Sequence, residues 1–354
     1  MPYVVVDTNA LMRDYLLIEA NMQTFLQGCQ RCHIAVCLPE IVVDELCANY
    51  EKEINRQRST LLTAARKLLA MGVTVEATDF DVKENAQSYR RHVHQMFEYY
   101  GAKVVPYPDI SPKSLVDASY SGKKPFKESG EGFKDFIIFE ILRAIAAQED
   151  GAGAFVTANK KDFCGSDGKL HPDLQLTLQQ HVTVYDNIHD FNIAVLTPQL
   201  EVLDDIAERI RKGEFDGFDL NETLTACFIT ELCEKYRRVE APTSLVEDTT
   251  VASVYTPTTQ DLTVNRLGEN ELLLGLTGTV ELELSGFVPK VELYGMSEED
   301  MEHENISIDD FDWNDYVASA STTVEFDFSM TVIFNESKKQ VDSVSIDLEP
   351  ADQE

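Results

Sequence analysis

The chain has 354 residues, which is enough for two domains with sizeable cores. Its 44% hydrophobic and 26% charged residues are ordinary for a folded protein and exclude a wholly disordered or collagen-like chain. The 30 Lys and Arg against 62 Asp and Glu give a net charge of −32, a sign that opposes loose binding to nucleic acid or to an anionic membrane. The acidity is uneven, because residues 193–354 hold 10 basic and 36 acidic side chains whereas residues 1–192 hold 20 and 26.

The N-terminus and the cysteines indicate the compartment. The apolar run that begins at Val4 stops at Asp7, no basic stretch precedes it, and no run of about 18 apolar residues follows anywhere. Seven cysteines are an odd number, which is typical of free thiols rather than of a disulfide framework. We therefore expect a cytoplasmic protein without a membrane span.

Residues 1–192 alternate short apolar runs with longer segments of helical spacing. The predicted strands are Tyr3–Val6, Ile34–Leu38, Val73–Glu76, Ala154–Thr157 and Val182–Tyr185, and the predicted helices are Ala10–Gln27, Pro39–Met71, Lys83–Tyr99 and Phe133–Ala147. Residues 101–132 are rich in Pro, Gly, Ser and Lys, which is typical of a long loop. The alternation predicts an α/β fold, a doubly wound parallel sheet flanked by helices. In such a sheet the functional crevice lies beyond the carboxyl ends of the strands.

The rest of the chain has a different character. Residues 193–239 have helical spacing and predict a helical connector, and residues 240–354 predict an acidic, β-rich domain. The strands of this domain alternate apolar with polar residues and are predicted over Glu271–Leu284, Ser321–Phe334 and Val341–Leu348. Nine acids crowd into Ser297–Tyr316, where we expect a solvated loop. The alternatives are an acidic decoy that repels nucleic acid and a docking site for a basic partner.

Four acids stand where the predicted strands end or where the next helix begins. They are Asp7 in Val-Val-Asp-Thr-Asn, Glu45 in Val-Val-Asp-Glu-Leu, Asp135 in Lys-Asp-Phe-Ile-Ile and Asp162 in Thr-Ala-Asn-Lys-Lys-Asp-Phe. Taken singly, each is explained as well by a helix cap or a surface acid. Taken together, acids that converge on one crevice repel one another, and a divalent cation relieves the repulsion. A donor set of carboxylates suits Mg²⁺ or Mn²⁺, whereas zinc would call for His or Cys.

In this order and context the four segments resemble the acidic motifs of the PIN-domain nuclease family, above all its larger bacterial members with an extra C-terminal region. The resemblance covers residues 1–190 and implies a metal-dependent endoribonuclease that hydrolyses tRNA or mRNA, with a toxin or defence effector as a further expectation. The implied catalytic acids and metal ligands are Asp7, Glu45, Asp135 and Asp162, and the residues implied to orient ligands or phosphate are Asn9, Thr157 and Asn159. Asp44 beside Glu45 leaves the second ligand open by one residue, although the Glu-Leu pair fits the motif better.

Basic residues flank the implied site in spite of the acidic total. These are Lys123, Lys124, Lys127 and Lys134 before Asp135, and Lys160 and Lys161 before Asp162. We expect them to contact the substrate backbone, with ordinary solvated lysines as the alternative. The acidic domain is expected to hold an inhibitor or activator, to recognise substrate or to mediate a homo-oligomer, and its charge disfavours direct wrapping of RNA.

Two competing functions and one misleading motif remain. The same metal chemistry would serve a DNA or flap-type nuclease, and a PIN-like domain without catalysis would serve as a protein-binding scaffold.

The string from Cys29 to His33 matches the haem-attachment pattern C-x-x-C-H, but that chemistry belongs to exported proteins. A zinc site that includes Cys37 lacks a second cysteine pair, so we expect neither haem nor zinc.

Overall fold

The computed structural model describes residues 1–12, 14–73, 80–127, 129–149, 151–178, 180–235, 237–239 and 245–351. It forms two compact units, Met1–Leu200 and Glu201–Glu354. The division lies inside the segment 193–239 that the sequence assigned to a connector, eight residues after the predicted end of the first domain. In the described part of the chain, no helix combines the length and the apolar character that crossing a membrane requires.

The N-terminal unit is built on a five-stranded sheet in the order β3-β2-β1-β4-β5. The strands are β1 (Tyr3–Val6), β2 (Ala35–Pro39), β3 (Lys103–Val105), β4 (Gly153–Val156) and β5 (Val182–Tyr185), and every pair is parallel. The central strand β1 is buried at all four residues, and Val4 lies opposite Val36 and Ala154. A strand covered on both faces needs apolar side chains throughout, which explains the unbroken run of valines.

Helices flank this sheet, as the sequence predicted. They are α1 (Thr8–Leu11), α2 (Ala20–Arg31), α3 (Glu40–Ala70), α4 (Val82–Tyr99), α5 (Pro112–Tyr120), α6 (Phe133–Gln148), α7 (Lys160–Phe163), α8 (Pro172–Gln175) and α9 (Ile188–Phe191). A π-helical turn over Asn192–Leu196 leads into α10 (Thr197–Arg211). The doubly wound α/β architecture is therefore confirmed.

Two local predictions differ from the structure, and a third falls mostly outside the described residues. The third strand of the sheet is Lys103–Val105, inside the predicted loop 101–132, whereas most of the predicted strand Val73–Glu76 lies outside the described residues. Three strand residues followed by two nearby prolines give too short an apolar signal to recognise. The predicted helix Ala10–Gln27 is divided, because Leu17 has a positive φ of 58° and the Asp14 side chain accepts the Glu19 N–H at 2.8 Å.

The C-terminal unit contains a six-stranded antiparallel sheet in the order β11-β10-β8-β6, with β7 on β8 and β9 on β10. The strands are β6 (Glu247–Val254), β7 (Thr258–Gly268), β8 (Glu271–Pro289), β9 (Ile306–Asp310), β10 (Val317–Asn335) and β11 (Gln340–Pro350). Short helices α12 (Lys290–Leu293) and α13 (Glu298–His303) follow β8. Alternate residues of β8 and β10 are buried, as the alternation of the sequence predicted.

The helices that begin this unit pack on the sheet. They are α11 (Leu220–Phe228), continued by a π-helical turn over Ile229–Cys233, and the greater part of α10. The rings of Phe218 and Phe334 lie 5.1 Å apart, and those of Phe228 and Phe328 lie 5.2 Å apart. These helices therefore share a core with the β-sheet.

Candidate metal-binding active site

Asp7 lies directly beyond the carboxyl end of the central strand β1 and is 3% exposed. Its carboxylate accepts the Thr8 N–H at 2.6 Å, the Thr157 hydroxyl at 2.6 Å and the Asn9 amide at 3.4 Å. Burial raises the pKa of Asp7, these hydrogen bonds oppose the rise, and the negative charge of Glu45 adds to it. The strand thus fixes a carboxylate in a buried position where an added positive charge would stabilise it.

Glu45 and Asp44 are neighbours on α3, and the structure separates their roles. Glu45 accepts the Thr8 hydroxyl at 3.0 Å, which ties it to the residue next to Asp7. Asp44 instead pairs with Arg90 and accepts the Tyr107 hydroxyl at 2.6 Å. Burial raises the pKa of Asp44, but the bonds from Tyr107 and Arg90 outweigh it, and the net pKa is lowered. Glu45 is therefore the acid that faces the site.

Asp135 and Asp162 come from the first turn of α6 and from α7. Asn159 donates its side-chain amide to Asp135 at 2.9 Å, and its backbone N–H bonds to the Thr157 hydroxyl at 3.0 Å. The pKa of Asp135 is raised to about 6, first by burial and then by the negative charges of Asp162 and Asp7. Asp7, Asp135 and Asp162 therefore form one electrostatic cluster. Glu45 belongs to it because its negative charge raises the pKa of Asp7.

A glycine fixes the start of α6 against the preceding loop. Gly132 caps the helix with a φ of 126°, a backbone conformation that residues with a side chain rarely adopt. A Cβ at this position would lie 2.8 Å from the carbonyl oxygen of Pro125. The close approach holds the loop at residues 123–127 beside the turn that carries Asp135.

The lysines predicted to bind substrate have different surroundings. Lys134 contacts Glu45 at 2.7 Å, and Lys127 lies 3.8 Å from Asp162. Lys124 donates to the carbonyl of Lys161, whereas Lys160 pairs with Asp186. Lys127 and Lys134 therefore reach the acids themselves, and Lys160 is directed to an acid outside the four motifs.

A cleft of about 790 Å³ is formed by α5, the loop before α6, α6 and α8, and one of its lining residues directly follows Asp135 in the chain. Its lining includes Lys123, Lys124, Phe126, Phe136 and Arg143. Phe136 directly follows Asp135 on α6, and Phe126 is tilted against it with ring centroids 5.2 Å apart. The lining also contains Asp109, Glu140 and Asp173, so the cleft combines basic, acidic and aromatic side chains.

The residues present fit a hard divalent cation. The four acids offer carboxylate oxygens, the donors that Mg²⁺ and Mn²⁺ prefer. Two of them, Glu45 and Asp162, already have a lysine ammonium group within 4 Å, so positive charge is attracted to the cluster. Over the described ranges no three His, Cys, Asp or Glu side chains are already arranged as a ligand set. The fit therefore rests on donor chemistry and charge.

Sequence reasoning missed one residue of this cluster, Thr8. It is 2% exposed, its N–H bonds to Asp7 and its hydroxyl bonds to Glu45, so it links two acids that lie far apart in the sequence. Its position between Asp7 and Asn9 was the available signal.

The cysteines of the C-x-x-C-H string are free thiols, and burial raises the pKa of Cys29 well above its ordinary value.

Comparisons with known proteins identify the N-terminal part of the chain. The family model described as PIN domain matches residues 4–163. No curated protein and no solved structure matches the chain. The matched range contains all four acids and ends before the C-terminal unit.

Proposed function

We propose that the protein is a metal-dependent endoribonuclease, because residues 4–163 match the family model of the PIN domain, the domain of a nuclease family. The proposal rests chiefly on one observation. Four acids that are separated by up to 155 positions in the chain interact electrostatically beyond the carboxyl ends of β1 and β4, where burial and mutual repulsion raise the pKa of Asp7 and Asp135. A protein-binding scaffold gains nothing from this repulsion, whereas a cation site requires it.

Asp7, Glu45, Asp135 and Asp162 would hold Mg²⁺ or Mn²⁺. When bound, such an ion supplies an activated water and stabilises the negative charge that develops on the phosphodiester. The residues around the acids keep them in place: Thr157 and Thr8 fix the carboxylates of Asp7 and Glu45, and Asn159 fixes that of Asp135. Because these donors bind the charged forms, they offset part of the repulsion.

The cleft beside the acids is the proposed substrate groove. Lys123 and Lys124 would contact backbone phosphates, and the exposed lysines Lys127 and Lys134 would exchange a carboxylate for a phosphate as substrate enters. Phe136, which is partly exposed, offers apolar surface for a base or a sugar, and the buried ring of Phe126 packs against it. We propose RNA, of the tRNA or mRNA class, because the four motifs resemble those of endoribonucleases. A toxin or defence role is part of the proposal.

The test is cleavage of end-labelled tRNA and of a matched single-stranded DNA, each with Mn²⁺, Mg²⁺ or EDTA. We expect RNA to be cut only with metal, and Asp7→Asn and Asp135→Asn to lower the rate by at least about 100-fold, as loss of a charge-stabilising group does. The exposed replacement Asp117→Asn on α5 is the matched control and should retain full activity. Preferential cutting of DNA would assign the protein to the DNA or flap-type class instead.

Thermal unfolding separates an inactive scaffold from an enzyme without its substrate. A site that binds metal only when folded raises the melting temperature as Mn²⁺ is added. We expect this rise in the wild type and a smaller one in Asp7→Asn. No cleavage together with no stabilisation by metal would contradict the nuclease proposal and favour the scaffold.

A further inference from the structure

An aromatic surface with acidic surroundings lies at one end of the C-terminal sheet. We define the aromatic platform as Tyr294, Phe311, Trp313 and Tyr316, which follow α12 and β9 and are 78%, 44%, 55% and 82% exposed. Soluble proteins seldom expose several large aromatic rings together unless the surface has a partner. Trp and Tyr are also the residues that contribute most at protein interfaces.

The strands that lead to the platform are anchored in a small core. Val288, Ile306 and Ala320 form this buried cluster, and Leu293 and Ile308 pack against them. The Phe287 ring of β8 lies 5.7 Å from that of Trp313, and the Lys290 N–H bonds to the Tyr316 carbonyl at 2.9 Å. The rings are therefore carried by ordered backbone that pairs with the sheet, and their exposure is a property of the fold.

The charge around the rings is one-sided. Residues 290–316 contain ten Asp and Glu but only one Lys and no Arg. Asp312 and Asp315 alternate with Phe311, Trp313 and Tyr316, and no ion pair among the described residues neutralises either acid. An aromatic surface with this charge attracts a cation and repels a phosphate backbone.

The single lysine of this segment shows the expected contact within the chain. The Lys290 ammonium group lies over the Phe311 ring, 4.6 Å from its centroid, and the Tyr294 and Phe311 rings meet edge to face at 6.4 Å. An ammonium or guanidinium group over a ring face is attracted by the electron-rich face of the ring. The remaining rings, Trp313 and Tyr316, are exposed and can accept further cations.

We propose that the aromatic platform is a docking site for a basic protein segment, one rich in arginine. The guanidinium groups would stack on Trp313, Tyr316 and Tyr294 and would pair with Asp312 and Asp315. This goes beyond the nuclease proposal and does not depend on it, because every residue used lies in the C-terminal unit. It also assigns a function to part of the acidity of that unit.

The test is calorimetric titration of the full-length protein with deca-arginine at low and moderate salt. Trp313 is the only tryptophan of the chain, so acrylamide quenching of its fluorescence reports the same event at the platform. We expect binding, shielding of Trp313 from acrylamide, and weaker binding of deca-lysine, because a guanidinium group stacks on rings better than an ammonium group does. Tyr294→Ala and Tyr316→Ala should each weaken binding by about fivefold.

A matched pair of charge variants separates a local site from general attraction to an acidic protein. Asp312→Asn with Asp315→Asn should weaken deca-arginine binding by about tenfold at low salt. The control pair Asp347→Asn with Glu349→Gln removes two exposed charges from β11, opposite Ser329 and Asp327 of β10 and about 33–40 Å along that strand from Val317. It should leave binding nearly unchanged.

Three outcomes would overturn the proposal. Equal weakening by both pairs would show diffuse electrostatic attraction, and no binding of deca-arginine would show that the platform has no such ligand. Binding of oligouridylate in place of deca-arginine would show that the rings stack on bases. Circular dichroism of each variant confirms the fold, which we expect to be retained because every replaced side chain is exposed.

Discussion

Asp135 is an acid of the candidate site whose pKa the surrounding structure raises clearly. It stands in the first turn of α6, where the helix dipole favours a negative charge, yet its pKa is raised to about 6. Burial and the charges of Asp162 and Asp7 outweigh the amide of Asn159. A negative charge at a position where it lowers the stability of the fold is typical of a group kept for function rather than for folding.

We expect the metal-free protein to lose folding stability as pH rises from 3.8, the ordinary pKa of an aspartate, to about 6, the pKa of Asp135 in the folded protein. Within that window the folded state binds the Asp135 proton more tightly than the unfolded state does, so deprotonation favours unfolding. In EDTA, Asp135→Asn should raise the melting temperature by a few degrees above pH 7 and should lose this advantage below pH 4.

The measurement is a series of thermal melts against pH, with the exposed Asp117→Asn as control. Equal effects of the two replacements across the pH range would show that Asp135 carries no unfavourable charge. Added Mn²⁺ should reverse the order, because the wild-type carboxylate then gains a cation that the amide cannot bind as strongly.

Adjacent acids on α3 give a second prediction at this scale. Glu45→Gln should lower the cleavage rate by at least about 100-fold, because it removes a charge from the cluster around Asp7. Asp44→Asn should change the rate by less than about threefold, because it breaks a half-exposed pair with Arg90 of the kind that contributes little. Initial rates on the same RNA decide the matter, and a larger loss in Asp44→Asn would show that the second ligand is misassigned.

At the scale of elements, the loop before α6 links the acids to the cleft. Gly132 brings it against the start of the helix, Lys127 reaches toward Asp162, and Lys124 reaches the backbone of α7. The loop thus carries positive charge to a site made of acids. A substrate phosphate would be attracted by these lysines in spite of the net charge of the whole chain.

The replacement of Lys123, Lys124 and Lys127 by Gln should weaken RNA binding and flatten its salt dependence. Loss of three phosphate contacts lowers the slope of log K against log salt by about 2 for a single strand. Filter binding at several salt concentrations, in an Asp7→Asn background that does not cut, measures the slope. The triple replacement of Lys212, Lys235 and Lys338, all in the C-terminal unit, makes the same change in net charge and should leave the slope unaltered.

At the scale of the whole molecule, charge is divided between two units of different architecture. The residues that match the PIN-domain model lie in a unit of nearly balanced charge, and the C-terminal unit carries most of the net charge of −32. Exposed acids repel RNA over a distance set by the salt concentration, about 8 Å under physiological conditions. The C-terminal unit is therefore expected to restrain nucleic-acid binding by its charge.

Residues 1–200 produced alone should cut RNA at a rate equal to or above that of the full chain, with the difference shrinking as salt screens the missing charge. The cut follows the boundary between the units, because a cut near residue 240 would leave Phe218 and Phe228 without the sheet residues that cover them. Cleavage rates are compared at two salt concentrations. A fragment that folds and binds Mn²⁺ but has lost cleavage would show instead that the C-terminal unit positions substrate.

The sequence by itself determined the α/β architecture and the positions of the four acids, because buried parallel strands require continuous apolar runs and each acid follows or precedes such an element closely. It also predicted long antiparallel strands from strict alternation. Short elements escaped it: Lys103–Val105 has three residues, and tertiary pairing with β2 rather than local pattern makes it a strand.

Only the tertiary structure decided which of two adjacent acids faces the site, because the sequence favours Glu45 but leaves Asp44 open, and contacts with Arg90, Tyr107 and Thr8 distinguish them. The same is true of the aromatic rings in the acid-rich segment 297–316. Composition predicted a solvated loop there, whereas β9 pairs with β10 and the Trp313 ring packs against Phe287 of β8. Contacts between residues distant in the chain are not encoded in local periodicity, and these contacts give both sites their geometry.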